Sequence, residues 1–474
     1  MKRFISILCL TAIVVCAGVF SSAEDVEWRE DASRVWDTTE VRGTDPEMLK
    51  KNYGRTPHEY FPYSEFSDPY RRFFREPLQY RGYGRHIPEP DHVDSVKIGF
   101  LGPIMKTVSV ATGGASHEEP MGHKMMQGAR LAIEQANARG GYRGGDIPFE
   151  LIVRNDNGLW GASGNEIITL GYKDKVWAIL GTIDGANSHI AIRVALKLEL
   201  PMMNTGDTDP TFIETNIPWV FRCITDDRQM CYFLADYVFK KLGMTRVAAL
   251  RANNRYGRMS IDEFRDAATR LGHPFLTELN YKVGDTDFAA QLTRIKSLNP
   301  EAVITYGDCE ESALIVKQMR KMGMNQLFLG SDRLVLPKFF EIAGDDAGPV
   351  AAGYPYNPES QDPKYLEFCQ AFRERFGDEP ETYAAHAYDG MSMIIEAIQR
   401  AGLNRALIRD ELAKVTHYHG VTGIKEFDPI FNNISAACLA LAEDGKFKFF
   451  TREELLGESD AKFTQSESVK TEGE

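Results

Sequence analysis

The sequence predicts an α/β protein with two doubly wound parallel-sheet lobes joined by a hinge, preceded by an irregular N-terminal extension. Residues 176–210 run strand, polar loop, helix, strand, polar loop, which is the order found in open parallel sheets. The same alternation restarts near residue 245 and continues to about residue 350. Ligands of such sheets bind at the carboxyl ends of the strands, so two copies predict a cleft between facing strand edges.

The elements of the first copy follow from apolar runs and turn residues. A buried strand is expected to begin at Val96, in VKIGFLGPI, and another in PFELIVRND. Gly140 and Gly141 end the intervening helix, because glycine accepts the left-handed conformation of a helix cap. In the second copy, ANNRYG and DCEE are expected to be loops, with the helix after DCEE running from Leu314 to Met322.

These patterns divide the chain into segments. The first lobe is expected to comprise residues 95–225 with 355–438, and the second lobe residues 226–354 with 439–456. A charged, Ser-rich tail at 457–474 is expected to be disordered.

Residues 1–23 have the pattern of an export signal. Lys2 and Arg3 precede an apolar stretch, and small residues ending at Ala23 form a cleavage site. A retained membrane anchor is the alternative, but the cleavage site favours removal. Cys16 follows the bulky Val15, so a lipid anchor is not expected. The mature chain is therefore expected in the periplasm.

Composition and missing motifs exclude several classes of function. The net charge of -13 argues against nucleic acid or an anionic membrane as the main partner. The sequence contains no CxxC, HExxH or GxSxG motif, so we expect no cofactor, metal or catalytic residue, and no enzyme. Cys223 and Cys231 are the only close cysteine pair after the signal, and whether they form a disulfide is left open.

The extension at residues 24–94 differs from the rest of the chain. Ten aromatic residues lie between Tyr53 and Tyr83, interleaved with prolines and arginines. The prolines preclude a long helix, and the aromatic density is unlike that of a solvated tail. One interpretation is an arm packed along its own domain. The other is a docking surface for a further protein partner, since Tyr, Phe and Arg anchor interfaces.

Polar loops at the predicted strand ends supply the candidate ligand-binding residues. Asp184 and Asp308 lie in such loops, and each is also a plausible helix cap. Gly185, at the start of a helix, would allow a carboxylate to approach the backbone N–H groups. Asp332, from the second lobe, suits an ammonium group. Tyr256 is either a cleft or a core residue.

The chain resembles a known family through runs that occur in a fixed order between about residues 95 and 450. These are VKIGFLGPI, GARLAIEQANARGGYRGGDIPFELIVRND, LPMMNTGDTDP, NNRYG, DFAAQLTRIKS, AVITYG and FLGSD. They are similar to the extracytoplasmic solute-binding proteins of ABC importers that resemble the leucine/isoleucine/valine-binding protein, the type I periplasmic binding proteins.

The resemblance implies roles for individual residues. An amino acid's carboxylate would be held at Gly185, Gly206 and Thr208, and its ammonium by Asp332. The implied aromatic contacts are Tyr256 in the cleft and Tyr383 in the side-chain pocket. Gly185 replaces a usual hydroxyl residue, Asp332 is shorter than the usual glutamate, and Asp308 stands where an aromatic residue is common. The pocket is thus more acidic than a branched-chain amino acid requires.

We therefore expect a protein that closes over a small polar solute (an amino acid, an amide or a related amine) and presents it to the membrane permease of an ABC importer. One alternative is a sensor or accessory module that docks a partner through residues 24–94. A hydrolase is a more remote alternative.

Overall fold

The computed structural model describes residues 78–107, 116–215, 217–344, 347–428 and 430–457, with residue 270 described by its backbone alone. The predicted export signal, most of the extension (residues 24–77) and the predicted tail from residue 458 lie outside this range.

The first part of the chain alternates strands and helices as predicted. In chain order it comprises β1 (Val96–Gly102), the hairpin β2 (Met105–Thr107) and β3 (Ser116–Glu118), α1 (Pro120–Ala138), β4 (Phe149–Asn155), α2 (Trp160–Ile168), β5 (Ala178–Gly181), α3 (Gly185–Leu198), β6 (Met202–Asn204), α4 (Pro210–Ile213) and β7 (Val220–Arg222). Apart from β2 and β3, these strands form one parallel sheet in the order β4-β1-β5-β6-β7.

The second part repeats this topology. It comprises α5 (Asp227–Ala235), β8 (Val247–Ala252), α6 (Arg255–Arg270), β9 (Glu278–Tyr281), α7 (Ala289–Ser297), β10 (Ala302–Ile304), α8 (Cys309–Lys321), β11 (Leu327–Gly330), α9 (Pro337–Ala343) and β12 (Val350–Tyr354). Its parallel strands are ordered β9-β8-β10-β11-β12, which matches the first sheet strand for strand.

The last part of the chain completes both halves. It comprises α10 (Pro363–Phe376), α11 (Thr382–Ala401), α12 (Arg405–Ala413), the hairpin β13 (His417–Gly420) and β14 (Gly423–Glu426), β15 (Cys438–Glu443), β16 (Lys446–Phe450) and α13 (Arg452–Leu456). Helix α11 packs on α1 of the first half, whereas β15 adds antiparallel to β12 of the second sheet. The α1–α11 contact requires Gly128, because a Cβ there would lie 2.0 Å from the carbonyl oxygen of Ala384.

The chain passes between the two sheets at three places: after β7, after β12 and before β15. Buried polar side chains tie these connections together. The Arg222 guanidinium donates to Asp226 Oδ2 at 2.6 Å and to Asn432 Oδ1 at 2.7 Å. Thr225 donates to the Pro355 carbonyl at 2.9 Å. The connections therefore form one compact junction between two separate sheets.

The two-sheet α/β fold is confirmed, and two helix starts are corrected. Helix α8 begins at Cys309 rather than Leu314, and α6 begins at Arg255, so Tyr256 lies in a helix and not in a loop. The α6 start is fixed by Asn254, whose side chain accepts from the Gly257 N–H at 2.8 Å. Cys223 and Cys231 are buried free thiols, which answers the open question of a disulfide.

Residues 78–94, the described end of the extension, lie against the first half. The Tyr80 ring contacts Trp219 edge to face, with centroids 4.7 Å apart. Arg85 pairs with Asp410 at 2.7 Å, and the Asn404 amide donates to the Ile87 carbonyl at 2.7 Å. This part of the extension is therefore fastened to its own domain.

Candidate functional site

The candidate site lies where the carboxyl ends of strands from both sheets meet. In each sheet the strand order reverses at one point, between β1 and β5 in the first and between β8 and β10 in the second. Such switch points create a crevice at the strand ends. The loops after β5, β10 and β11 supply Asp184, Asp308 and Asp332 to it.

Arg333 occupies the centre of this crevice and joins its two sides. Its Nη2 donates to Asp184 Oδ1 of the first half at 2.9 Å, and its Nη1 donates to Asp308 Oδ1 of the second half at 2.9 Å. The guanidinium carbon lies 3.7 Å from the centroid of the Tyr256 ring. Only 6% of the Arg333 side chain is exposed. No motif or spacing in the sequence marked this residue as a site residue.

Electrostatics reinforce this arrangement. Burial alone would favour neutral Asp184, but Arg333 and Lys106 outweigh it and lower the pKa of the Asp184 carboxyl. Burial would also lower the pKa of Arg333, yet Asp184, Tyr383 and Asp308 raise it well above the ordinary value. Asp184 is therefore held as a carboxylate and Arg333 as a cation.

Asp332 lies deeper, beside Tyr256. The Tyr256 hydroxyl donates to Asp332 Oδ1 at 3.2 Å, and the Asp332 residue is 3% exposed. Burial raises the pKa of Asp332, whereas nearby Arg333 and the Tyr256 hydrogen bond lower it in part. Tyr383, from α11 of the first half, is also 3% exposed and lies within electrostatic range of Asp332. A cation that reached Asp332 would relieve the cost of burying its charge.

A second buried carboxyl, not identified from the sequence, lies near Asp332. Asp227 begins α5 and accepts from the Ser260 hydroxyl at 2.6 Å, while its Oδ1 has no hydrogen-bond partner among the described residues. Burial and then Asp332 raise the pKa of Asp227 to about 8. The Asp227 N–H donates to the Thr208 carbonyl at 2.8 Å, which ties Thr208 to this end of the crevice.

Little space surrounds the two predicted glycines. A Cβ at Gly185 would meet Asp209 Oδ2 at 2.6 Å and Arg255 Nε at 3.0 Å, so this position faces an ion pair. The Gly206 N–H donates to Asn204 Oδ1 at 3.2 Å. Neither Asp184 nor Asp308 caps its helix with its side chain, although each stands at the cap position.

Two further ion pairs connect the halves. Arg255 of α6 donates from Nε to Asp209 Oδ2 of the first half at 2.9 Å. Arg228 of α5 donates to Glu214 Oε1 of the first half at 2.6 Å and to Glu263 Oε2 of its own half at 3.1 Å. With Arg333, three arginines of the second half thus reach carboxylates of the first.

A family profile described as "Periplasmic binding protein" matches residues 95–443. The chain belongs to the periplasmic binding protein family. The resemblance inferred from the sequence motifs is thereby confirmed. The family is one of solute-binding proteins that are not enzymes, and membership implies an extracytoplasmic location. Among the residues that the structure describes, no helix is long and apolar enough to cross a membrane.

Relatives and solved structures agree with this assignment. The chain is 25% identical over 351 residues to the Leu/Ile/Val-binding protein homolog 2 of Brucella abortus, covering 73% of this chain and 93% of that protein. It is 26% identical over 328 residues to an amino acid binding protein of Pseudomonas aeruginosa, covering 68% of this chain and 85% of that protein.

Among solved structures, a leucine binding protein of Thermotoga maritima superimposes with a TM-score of 0.67 at 26% identity, covering 75% of this chain and 98% of that one. A branched-chain amino acid substrate binding protein of Streptococcus pneumoniae, in complex with isoleucine, gives 0.66 at 24% identity, covering 75% and 99%. The latter likeness shows the fold alone. This periplasmic binding protein thus shares its family with proteins that bind amino acids.

Proposed function

We propose that the protein binds a small polar solute that carries an ammonium or amide group, closes its two halves over it, and delivers it to the membrane permease of an ABC importer. The solute class comprises amino acids, amides and related amines. We further propose that residues 1–23 direct export and are cleaved, and that the predicted lobe boundaries are those of the moving bodies.

The observation that carries this proposal is the buried Asp332 carboxyl with the Tyr256 hydroxyl on one of its oxygens. A carboxylate removed from water needs a positive or donating partner, and a ligand ammonium group supplies three donors. Tyr383 and Thr208 come from the opposite half and lie near the same place. A solute bound here would contact both halves and favour their closed arrangement.

The negative end of the solute has a separate place to bind. The N-terminus of α3, at Gly185, presents backbone N–H groups with the positive end of the helix dipole. The Thr208 hydroxyl provides a side-chain donor. Asp184 and Asp308, which we expected to contact the solute directly, instead bond Arg333, and we propose that they act on the solute through it.

A thermal-shift screen against amino acids, amides, polyamines and small organic acids tests the proposal. A ligand at about 100 times its dissociation constant stabilises the native state by roughly 2.7 kcal/mol. Hits are then titrated calorimetrically into Asp332→Asn, which keeps the size of the side chain and removes its charge. Loss of a charge-assisted hydrogen bond lowers affinity about ten- to a hundredfold.

Asp262→Asn is the matched control, because Asp262 lies on α6 with its side chain 46% exposed. It should bind the hit as the unaltered protein does. A screen in which no amine or amide stabilises the protein would contradict the proposed function, as would full affinity in Asp332→Asn.

A further inference from the structure

Arg333 lies among three carboxylates, and its hydrogen bonds are divided between the two halves of the protein. Its terminal nitrogens bond Asp184 and Asp308, each at 2.9 Å, while Asp332 receives the hydroxyl of Tyr256. The crevice therefore contains three aspartates, but the positive charge of Arg333 compensates much of their negative charge. Removing the guanidinium would leave Asp184 and Asp308 without the cation that they bond, with Lys106 still within electrostatic range of both.

The position of the guanidinium is well defined. One face lies on the Tyr256 ring at 3.7 Å, its edge is bonded at two nitrogens, and 6% of the side chain is exposed. A planar guanidinium held by two carboxylates and an aromatic ring loses several contacts if it moves. The charge thus stays next to whatever group binds Asp332.

A ligand with one ammonium group can bind Asp332 without competing for the carboxylates that hold Arg333. A ligand with two ammonium groups needs a second ionised acceptor. Asp227, near Asp332, is a poor one, because burial and then Asp332 raise its pKa to about 8 and keep it neutral. The carboxylates at the rim, Asp184 and Asp308, already bond the Arg333 cation. Like charges in a desolvated site repel strongly, and such repulsion is a common device for rejecting a wrong ligand.

We propose that Arg333 is a specificity-determining residue that excludes diamines from the cleft and restricts it to solutes with a single ammonium or amide group. The inference rests on the proposed function, because it narrows the solute class that the same site accepts. It also gives the additional acidity of the site, at Asp184 and Asp308, a role in holding Arg333 rather than in binding a second ammonium.

The test is calorimetric titration of putrescine, a diamine, into the unaltered protein, Arg333→Ala and Arg333→Gln. Both variants free Asp184 and Asp308, so putrescine affinity should rise at least about tenfold, as expected for a newly available charge-assisted contact. Arg333→Gln nearly keeps the side-chain length and serves if the alanine variant folds poorly. Circular dichroism checks the fold of each variant.

Arg255→Ala is the matched control. It removes the same charge from another arginine that bridges the halves, but it frees Asp209 rather than the two carboxylates around Arg333. Putrescine affinity should not rise, and the loss of this contact between the halves should lower it a few-fold at most. An equal gain in Arg255→Ala and Arg333→Ala would overturn the proposal, because net charge or loosened closure would then explain it. No gain in either Arg333 variant would overturn it too.

Failure of this inference is distinguishable from failure of the proposed function. If amino acids or amides bind the unaltered protein and the Arg333 variants gain no putrescine affinity, the proposed function is supported and the proposed role of Arg333 is wrong. If the Arg333 variants gain putrescine affinity while no amine or amide binds the unaltered protein, the exclusion of diamines by Arg333 is supported and the proposed solute class is wrong.

Discussion

The guanidinium of Arg333 lies 3.7 Å from the centroid of the Tyr256 ring, and the hydroxyl of that ring donates to Asp332 at 3.2 Å. Tyr256 thus serves two charged groups at once, with its face on a cation and its hydroxyl on a carboxylate. Asp332 and Arg333 both follow β11 in the chain, whereas Tyr256 lies in the first turn of α6. The tyrosine thereby holds the charges of Arg333 and Asp332 in a defined arrangement.

Tyr256→Phe should lower affinity for the amine-bearing solute about tenfold, with the larger loss at lower pH. The change keeps the ring under Arg333 but removes the hydrogen bond that lowers the pKa of Asp332. The Asp332 pKa then rises, so a larger fraction is protonated at low pH and cannot attract a cation. Calorimetric titrations between pH 5.5 and 8.5 measure this dependence.

Tyr306→Phe is the control for that series. The Tyr306 hydroxyl lies 2.7 Å from Cys231 Sγ rather than on Asp332, and its ring centroid is 6.3 Å from that of Tyr256. Its affinity profile should follow that of the unaltered protein. A flat loss of affinity at all pH values in Tyr256→Phe would contradict the proposed effect on Asp332 ionisation.

Arg228→Ala should destabilise the protein by about 3 to 5 kcal/mol, because it leaves the buried carboxyls of Glu214 and Glu263 without their cation. Equilibrium unfolding in urea measures the change. Arg265→Ala removes an arginine that also pairs with two carboxylates but is 42% exposed, and it should cost less than about 1 kcal/mol. Similar losses of stability in the two variants would show that the burial of Arg228 does not increase its contribution to stability.

The strand and helix order was predictable because buried parallel strands leave uninterrupted apolar runs, such as VKIGFLG in β1 and AILG in β5. The carboxyl ends of such strands share one edge, so Asp184, Asp308 and Asp332 could be grouped from the sequence alone. Tyr256 could be assigned to the same edge, but its hydrogen bond to Asp332 could not be read from the sequence.

The contacts between the halves were not predictable in this way. Arg333 and Asp184 are 149 residues apart, and their contact depends on how one sheet is placed against the other. No local period or propensity records that placement. Gly185 illustrates the same limit: its position at a helix start predicted an approach for a ligand, but nothing near it in the sequence showed that a Cβ there would also meet Asp209 and Arg255.

Asp428→Asn should reduce the dependence of stability on pH. Burial raises the pKa of Asp428 to about 8, from an ordinary value of 3.8. Between these values the native state binds more protons at this site than the unfolded state, so its contribution falls as pH rises and is lost near pH 8. The asparagine oxygen can still accept from the N–H groups of Ile430 and Asn432.

Urea unfolding at pH 6 and pH 8 measures this effect. The unaltered protein should lose about 2 kcal/mol more than Asp428→Asn over that interval. Asp262→Asn, at an exposed position, should retain the dependence of the unaltered protein. If the stability of Asp428→Asn depends on pH as strongly as that of the unaltered protein, groups other than Asp428 cause the dependence.

Gly185→Ala should weaken closure without weakening the fold. The added methyl group would lie 2.6 Å from Asp209 Oδ2 and 3.0 Å from Arg255 Nε, so the ion pair that joins the halves there must shift. The radius of gyration from small-angle X-ray scattering should increase, and solute affinity should fall a few-fold.

Gly161→Ala is the control, because nothing lies within 4 Å of a Cβ at that helical position. Both substitutions favour helix by up to about 1 kcal/mol, so propensity does not separate them. Equal radii of gyration in the two variants would mean that the Asp209–Arg255 pair does not hold the halves together.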